Sequence, residues 1–588
     1  MSSHPPSASR RPKPTFAELF TPKLVTVLRE GYGLKEFRAD ALAGLTVAIV
    51  ALPLSMAIAI AAGLSPDRGL YTAIVGGFLI SALGGSRFQV GGPAGAFIVL
   101  IAAIVERHGY DGLVLATMMA GVMMMAVGFL QLGTFIKYIP YPVTIGFTAG
   151  IAVIIFASQV KELFGLDIVK EPSALIPKIA AIWNALGSTK PATVALSAFA
   201  IAVILGLRAY RPKWPGLLIA VVLSAVLTGI FHLDVATIGS RFGGVPSSLP
   251  FPALPEISLM KMRAVLPDAI SIAVLGAIES LLSAVVADGM SGRKHRSNSE
   301  LVAQGVGNIG AVIFGGMCVT GTIARTATNI RSGAHGPVSG ILHAAYLLVF
   351  MLVAAPLASF VPLACLGGIL AVISWNMAER HEFASLLRTS WGDAVVLMAT
   401  FLLTIFEDLI VAIAVGVTLG AFLFLHRMAE AVEIQGGGRL VSEDEADATG
   451  AARVLAQPAG LVGDAMIYRI SGAFFFGATA AVSNALDRIG EHPKLFILDM
   501  TDVPLIDTTA ARMLGEYATK LNRSGTKVYL AGARRSVRRT MLGAGLRKPI
   551  VYYAATAEDA IQAAKNGMAL SPADSGFASS APFAKAKS

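Results

Sequence analysis

Two charged residues sit inside long apolar runs, where lipid would surround them. Arg325 lies in MCVTGTIARTATNIR, residues 317–331, a few positions after a Gly–Thr break. Glu279 lies in PDAISIAVLGAIESLLSAVVADG, with Ser283 one helical turn later on the same face. A charge near the middle of a spanning helix costs roughly 2.5–3.5 kcal/mol on insertion scales. Arg325 therefore calls for a buried carboxylate, a water-filled cavity or a bound anion. Glu279 has two readings: a desolvated carboxyl that can carry a proton, or a permanent ion pair with Arg325. The first would couple proton movement to an anion.

The elements that would hold an anion are interrupted helices. The run VGGPAGAFIVL (residues 90–100) and the run VTGTIARTAT (residues 319–328) each break an apolar stretch with small residues. A helix that starts inside the membrane leaves its first N–H groups without intrahelical partners, and its end carries about half a positive charge. Two such ends facing each other make an anion site. Pro93 suits a first helical turn, because it has no N–H to leave unpaired. Gly91, Gly92 and Gly95 permit close backbone approach, with Ala94, Ala96 and Phe97 completing that turn. On the other side Gly321, Thr322, Ala324 and Thr326 supply a turn and hydroxyls, and Arg325 adds a full charge. The plainer alternative is that the glycines only permit tight helix packing and that Arg325 faces a cytoplasmic vestibule.

Only 14% of the 588 residues are charged and 55% are hydrophobic, with mean hydropathy +0.69. These values indicate a polytopic membrane protein in a lipid bilayer. About fourteen apolar stretches between Ala41 and Leu425 read as helices, several shorter than the roughly 20 residues of a full span. They divide into halves of about seven, near 41–230 and 264–425, with the third member of each half interrupted. An odd number per half inverts the second half, and paired broken segments point to a midplane site. The net charge of +10 is spread over short loops, which fits topology and gives no sign of nucleic-acid binding. About nineteen Lys/Arg fall on the N-terminal side against about nine opposite, so both termini are expected in the cytoplasm, in an inner (plasma) membrane.

The expected domains are a cytoplasmic leader (1–40), disordered over its opening MSSHPPSASRRPKP, a membrane domain (41–427), a polar linker (428–453), a small α/β domain (454–567) and a disordered tail (568–588). The α/β expectation rests on the alternation of AMIYRISGAFFFG, LFILDM and KVYLAGA with helical stretches. Cys318 and Cys365 lie in membrane segments and indicate no disulfide framework. No G-x-x-x-x-G-K-[ST] loop, H-E-x-x-H motif or paired C-x-x-C occurs. The sequence therefore implies no enzyme, cofactor or metal, and transport would be secondary. Glu407 and Asp408 read as a solvated turn, Arg331 as the end of its half-helix and His343 as a packed helix residue; the methionines at 123–125 read as membrane filler.

PLSMAIAIAAGLSPDRGLYTAIVGGFLISALGGSRFQVGGPAGAF resembles the first three spans of the SulP sulfate permease family, and ADGMSGRKHRSNSELVAQGVGNIGAVIFGGMCVTGTIARTATNIRSGA its eighth to tenth. LDMTDVPLIDTTAARML is similar to STAS domains, which usually follow SulP membrane domains. The resemblance implies a fourteen-span, seven-plus-seven inverted repeat with core and gate, working by alternating access, usually as a homodimer. It puts the anion between the half-helices at Pro93–Phe97 and Ala324–Thr326, and a coupling carboxylate at Glu279. Sodium-coupled bicarbonate members carry Asp there with a hydroxyl one turn on, where this chain has Glu279 and Ser283. GRKHRSNSELVAQG and TIARTATNIRSGA look closest to the bacterial proton-coupled C4-dicarboxylate permeases, so succinate or fumarate competes with sulfate and bicarbonate. Sodium-coupled bicarbonate uptake, an anion channel and a sensor signalling through STAS are the alternatives. STAS relatives place a phosphorylatable Ser after an Asp, whereas here Thr508 and Thr509 follow Asp507; otherwise the domain reads as a folding, dimer or cytoplasmic partner-docking module.

Overall fold

The computed structural model describes residues 15–134, 139–168, 171–172, 174–211, 214–407, 409–435, 461–462, 465–487 and 494–565. It separates into two units, Met1–Gly420 and Ala421–Ser588. The first is helical: α1 Phe16–Phe20, α2 Lys23–Arg29, α3 Leu34–Ala61, α4 Pro66–Tyr71 and α5 Gly77–Leu83, the last two joined by a π turn at Thr72–Gly76. Strand β1 Gly91–Gly92 and a 3-10 turn at Gly95–Phe97 lead into α6 Ile98–Phe129, which is two helices meeting at Gly109, where φ is 69°. Then follow α7 Tyr141–Phe164, α8 Leu175–Ala185, α9 Pro191–Tyr210, α10 Gly216–Ile230, α11 Ile238–Phe242, α12 Leu259–Ser291 and α13 Ser297–Ile313. Strand β2 Thr320–Gly321 precedes α14 Ile323–Arg331, α15 Val338–Ala358, α16 Leu363–Met377, α17 Arg380–Thr389, α18 Trp391–Phe406 and α19 Leu409–Glu430.

Seven described helices are long and apolar enough to cross a membrane, namely α3, α6, α7, α9, α12, α15 and α19. The expectation of about fourteen spans exceeds this count, because length is what an interrupted span lacks: α14 has 9 residues and α16 has 15. Packing forms two groups. In one, α6 lies on α12 and α13, and α15 on α3; in the other, α7 lies on α16 and α18, and α9 on α10 and α16. β1 and β2 pair antiparallel, Gly91 opposite Gly321 and Gly92 opposite Thr320, which joins the two interrupted segments inside the first group.

Within the expected leader, α1 and α2 are helical and held against the rest of the unit. Val27 is buried, the Lys23 amide donates to the Gly84 carbonyl at 2.9 Å, Arg296 donates to the Thr21 carbonyl, and Arg87 pairs with Glu30. Asp40 is buried and accepts from the His335 and Gly336 amides at 2.6 and 3.0 Å. The α1–α2 segment is thus a strap across the loops that enter and leave the crossing. Residues 1–14 and the tail lie outside the described residues.

The second unit contains β3 Glu433–Gln435, β4 Leu461–Val462, β5 Ala465–Ser471, α20 Phe476–Asp487, β6 Leu495–Asp499, α21 Thr508–Arg523, β7 Lys527–Ala531, α22 Arg535–Gly543, β8 Tyr552–Ala554 and α23 Ala557–Lys565. The sheet order is β3-β5-β6-β7-β8, with β5 to β8 parallel and β3 and β4 antiparallel to β5. β6 is buried throughout, as a strand covered on both faces must be. Phe496 and Leu498 pack with Leu514 on one face, Leu495 and Ile497 with Ala560 on the other. The expected linker is corrected at its start: α19 continues to Glu430 and residues 433–435 form the edge strand β3, because edge pairing to β5 needs only backbone groups and leaves little apolar signature. Residues 436–453 lie outside the described residues.

Candidate functional site

The β1–β2 crossing brings the two interrupted segments together. Both helices that leave it start without a side-chain cap: Ala94 precedes the Gly95–Phe97 turn and Thr322 precedes α14, each with extended backbone. No side-chain cap therefore takes up the first N–H groups of either helix. Gly92, Pro93, Ala94, Ala96 and Phe97 are buried and Gly95 is half-buried, while Ile323 and Ala324 are exposed.

Arg325 is 1% exposed. Its Nη2 donates to Ser55 Oγ at 3.0 Å and to the Pro93 carbonyl at 3.4 Å, while Nε and Nη1 have no partner among the described residues. The guanidinium lies over Gly92, where an added Cβ would come within 1.6 Å of Nη1. Gly321 is equally constrained, since its Cβ would meet Gln89 Nε2 at 1.4 Å. Glycine at these positions is the space that the two side chains occupy.

The hydroxyls assigned to the site brace the crossing. Thr326 Oγ1 accepts from the Val90 amide at 3.2 Å and from Ser283 Oγ at 3.3 Å, and Thr322 Oγ1 donates to the Val90 carbonyl at 3.4 Å. Several positioning residues carried no distinct sequence signal. Ser280 Oγ lies 2.6 Å from Thr320 Oγ1, and Gln89 donates to the Ser280 carbonyl at 3.1 Å. The Asn308 amide both donates to the Val319 carbonyl at 2.8 Å and accepts from the Val319 N–H at 2.9 Å, as a third strand would. Asn329 ties α14 to the Phe88 carbonyl at 3.0 Å. Small polar residues inside apolar spans are the signal that would have found them.

Glu279 is half-buried and makes no ion pair with Arg325 among the described residues. It lines a cavity of about 20 Å³ with Thr144, Thr148, Phe147 and Ile413, room for about one water. Ser283, one turn on, is buried and turned to Thr326. His343 is buried and its ring nitrogens have no hydrogen-bond partner among the described residues; Arg331 ends α14, and Glu407 is exposed, whereas Asp408 lies outside the described residues. In the second unit Asp507 caps α21 through the Ala510 amide at 2.8 Å, and Thr508 and Thr509 are exposed.

Two broken helices braced across a short β pair, with a buried arginine between their ends, define a helical membrane transporter of the SLC26 fold with a STAS domain. The fold compares with the overall structure of SLC26A9 at a TM-score of 0.79 and 18% identity, over 93% of this chain and 92% of that one. The transmembrane domain of a cyanobacterial bicarbonate transporter, BicA, compares at 0.59 and 31% identity, over 65% of this chain and 98% of that one. The sulfate permease family model matches residues 37–400 and the STAS domain model residues 459–560. This chain belongs to the sulfate permease family. YvdB of Bacillus subtilis, named for sulfate transport, is 41% identical over 507 residues, 86% of this chain and 93% of its own length. The bicarbonate transporter BicA of Picosynechococcus is 30% identical over 529 residues, 86% of this chain and 90% of its own. These relatives are named for sulfate or bicarbonate, and the resemblance to the C4-dicarboxylate branch finds no support among them.

Proposed function

We propose that this protein is a secondary transporter that moves a small oxyanion of the sulfate or bicarbonate class across the cytoplasmic membrane, with both termini in the cytoplasm. The observation that carries the reading is Arg325: a buried guanidinium set between two uncapped helix ends, with two nitrogens that have no partner, and no carboxylate paired to it, among the described residues. An anion supplies the charge and the acceptors that the protein withholds. Gly92, Pro93, Ala94, Gly95, Ala96 and Phe97 would meet it from one side, and Thr322, Ala324, Arg325 and Thr326 from the other. Alternating access between the two helix groups, the fourteen-span inverted repeat and a homodimer follow from the family resemblance.

Glu279 is the proposed proton carrier. A carboxyl group with no cation beside it can exchange a proton without breaking an ion pair, and the hydroxyls of Thr144 and Thr148 line the same small cavity. Sodium at this place is the second reading, favoured by those hydroxyls. The STAS domain is assigned a docking or assembly role. Uptake into proteoliposomes tests the whole: saturable, concentrative uptake of radiolabelled sulfate or bicarbonate supports a transporter, non-saturating flux makes it a channel, and binding without flux makes it a sensor. A competition panel that includes succinate separates the substrate classes.

A further inference from the structure

A second chamber lies beyond the candidate site. Past Ser55 toward the C-terminal end of α3, and past Ile155 toward the end of α7, these helices line a cavity of about 390 Å³. Its lining begins at Ala57 on α3, Ala102 on α6, Ser158 on α7 and Leu370 on α16, so both helix groups bound it. It lies away from the strap, on the outer face in the orientation proposed above. Most of its wall is apolar, and of the charged side chains in it only Lys178, on the short helix α8, is buried, at 6% exposed.

The partners of Lys178 are unequal. Its ammonium donates to Ser158 Oγ at 2.5 Å, and Glu171 Oε1 stands 2.9 Å away as an ion pair without hydrogen-bond geometry. Glu171 is the charged partner and its side chain is 24% exposed, so it is the one an incoming oxyanion can displace. Elsewhere on the wall Arg241 is bound to Glu162 at 2.6 Å, Lys161 donates to the Ile168 carbonyl at 2.7 Å, and Glu106 is engaged. Lys161 thus spends its hydrogen bond on a neutral group, and with Lys178 and Arg241 it balances Glu106, Glu162 and Glu171 on the same wall. A half-desolvated anion entering here meets one ammonium that can turn to it and one counter-ion that must yield.

We propose that this chamber is an outer anion-capture site, in which Lys178 binds the oxyanion in exchange for Glu171 before the anion passes to the crossing. The proposal rests on the transport reading above. It assigns opposite effects to two neighbours in one ion pair: Glu171 competes with the anion, and Lys178 attracts it. A purely structural pair predicts damage of the same sign from either side.

The test is the concentration dependence of radiolabelled sulfate and of radiolabelled bicarbonate uptake from the outer face, against efflux from the inner face, in the full-length protein. Lys178→Gln should raise the outer half-saturating concentration roughly tenfold, the scale of one charge-assisted hydrogen bond. Lys178→Arg should stay within about threefold of wild type. Glu171→Gln should lower the outer value a few-fold, and the inner value should move less than about twofold in each variant. Shifts of the same sign in Lys178→Gln and Glu171→Gln, or equal shifts on both faces, overturn the capture site. Uptake by wild type with an unchanged Lys178→Gln value overturns it alone, whereas no uptake of either anion by wild type overturns the transport reading and the capture site together.

Discussion

Arg325 and Asp499 are both buried charges, and the protein treats them in opposite ways. Asp499, at the end of β6, accepts from the Arg469 guanidinium at 2.8 Å, the Thr501 amide at 3.0 Å and the Thr501 hydroxyl at 2.6 Å. Burial alone would raise its carboxyl, but Thr501 and Arg469 hold it below the usual carboxylate range. Among the described residues, Arg325 has two nitrogens with no acceptor and no acid paired to it. A satisfied buried charge fixes a fold, because all its interactions exist before any ligand arrives. An unsatisfied one stores an interaction for something that comes and goes.

The strongest way to break this contrast is Gly92→Ala. The new methyl group would occupy the space of Arg325 Nη1, so the guanidinium must leave its place between the helix ends. Uptake should fall to background while the protein still inserts and purifies as a folded species; normal uptake would show that the guanidinium position is irrelevant. Arg325→Ala comes next. Loss of one charge-assisted contact costs about 1.5–3 kcal/mol, so anion affinity should weaken roughly ten- to hundredfold. Calorimetric titration of the purified variant with sulfate and bicarbonate measures it, and wild-type affinity would remove Arg325 from the site.

Glu279→Gln sharpens the contrast within the membrane. Anion-for-anion exchange should survive, while accumulation driven by an imposed pH gradient disappears. One pH unit supplies about 1.4 kcal/mol per proton, or tenfold accumulation. Liposome uptake without sodium reads this directly, and a Gln variant that still follows the gradient excludes Glu279 as the carrier. The smallest effect belongs to the satisfied charge. Asp499→Asn should weaken protection of β6 and β7 amides in hydrogen exchange by about 1 kcal/mol without altering anion affinity. Because the folded carboxyl lies below its unfolded value of about 3.9, its contribution is complete at neutral pH and is lost as pH falls through the folded value. A change in anion affinity would mean that the two charges are not independent.

The residues that differ most from their surroundings were legible in the sequence. Arg325 and Glu279 stand out because charge is rare in apolar spans, and the alternation of strand and helix announced the α/β unit. Residues that act by holding backbone were silent. Asn308 looks like any polar residue on α13 until Val319 is found beside it, 11 positions away in sequence. Gln89 and Ser280 meet across 191 positions. Edge strand β3 escaped for a related reason: its pairing to β5 is made by main-chain groups, whatever the side chains are. Short spans hid the helix count, since breaking a span to build the crossing also removes the length by which spans are recognised.

The strap has a consequence for how the chain is made. Asp40, near the head of α3 just after the strap, meets the Gly336 amide only once that residue exists, 296 residues later, and at about 5–20 residues per second a ribosome needs on the order of 15–60 s to reach it. Throughout that interval the strap can meet Gly84 and Arg87 but lacks Arg296 and the Gly336 backbone that lies against Val27. Its late capture would register that the second interrupted segment has arrived. A nascent chain stalled before residue 336 should therefore leave α2 open to protease, and one released after it should not.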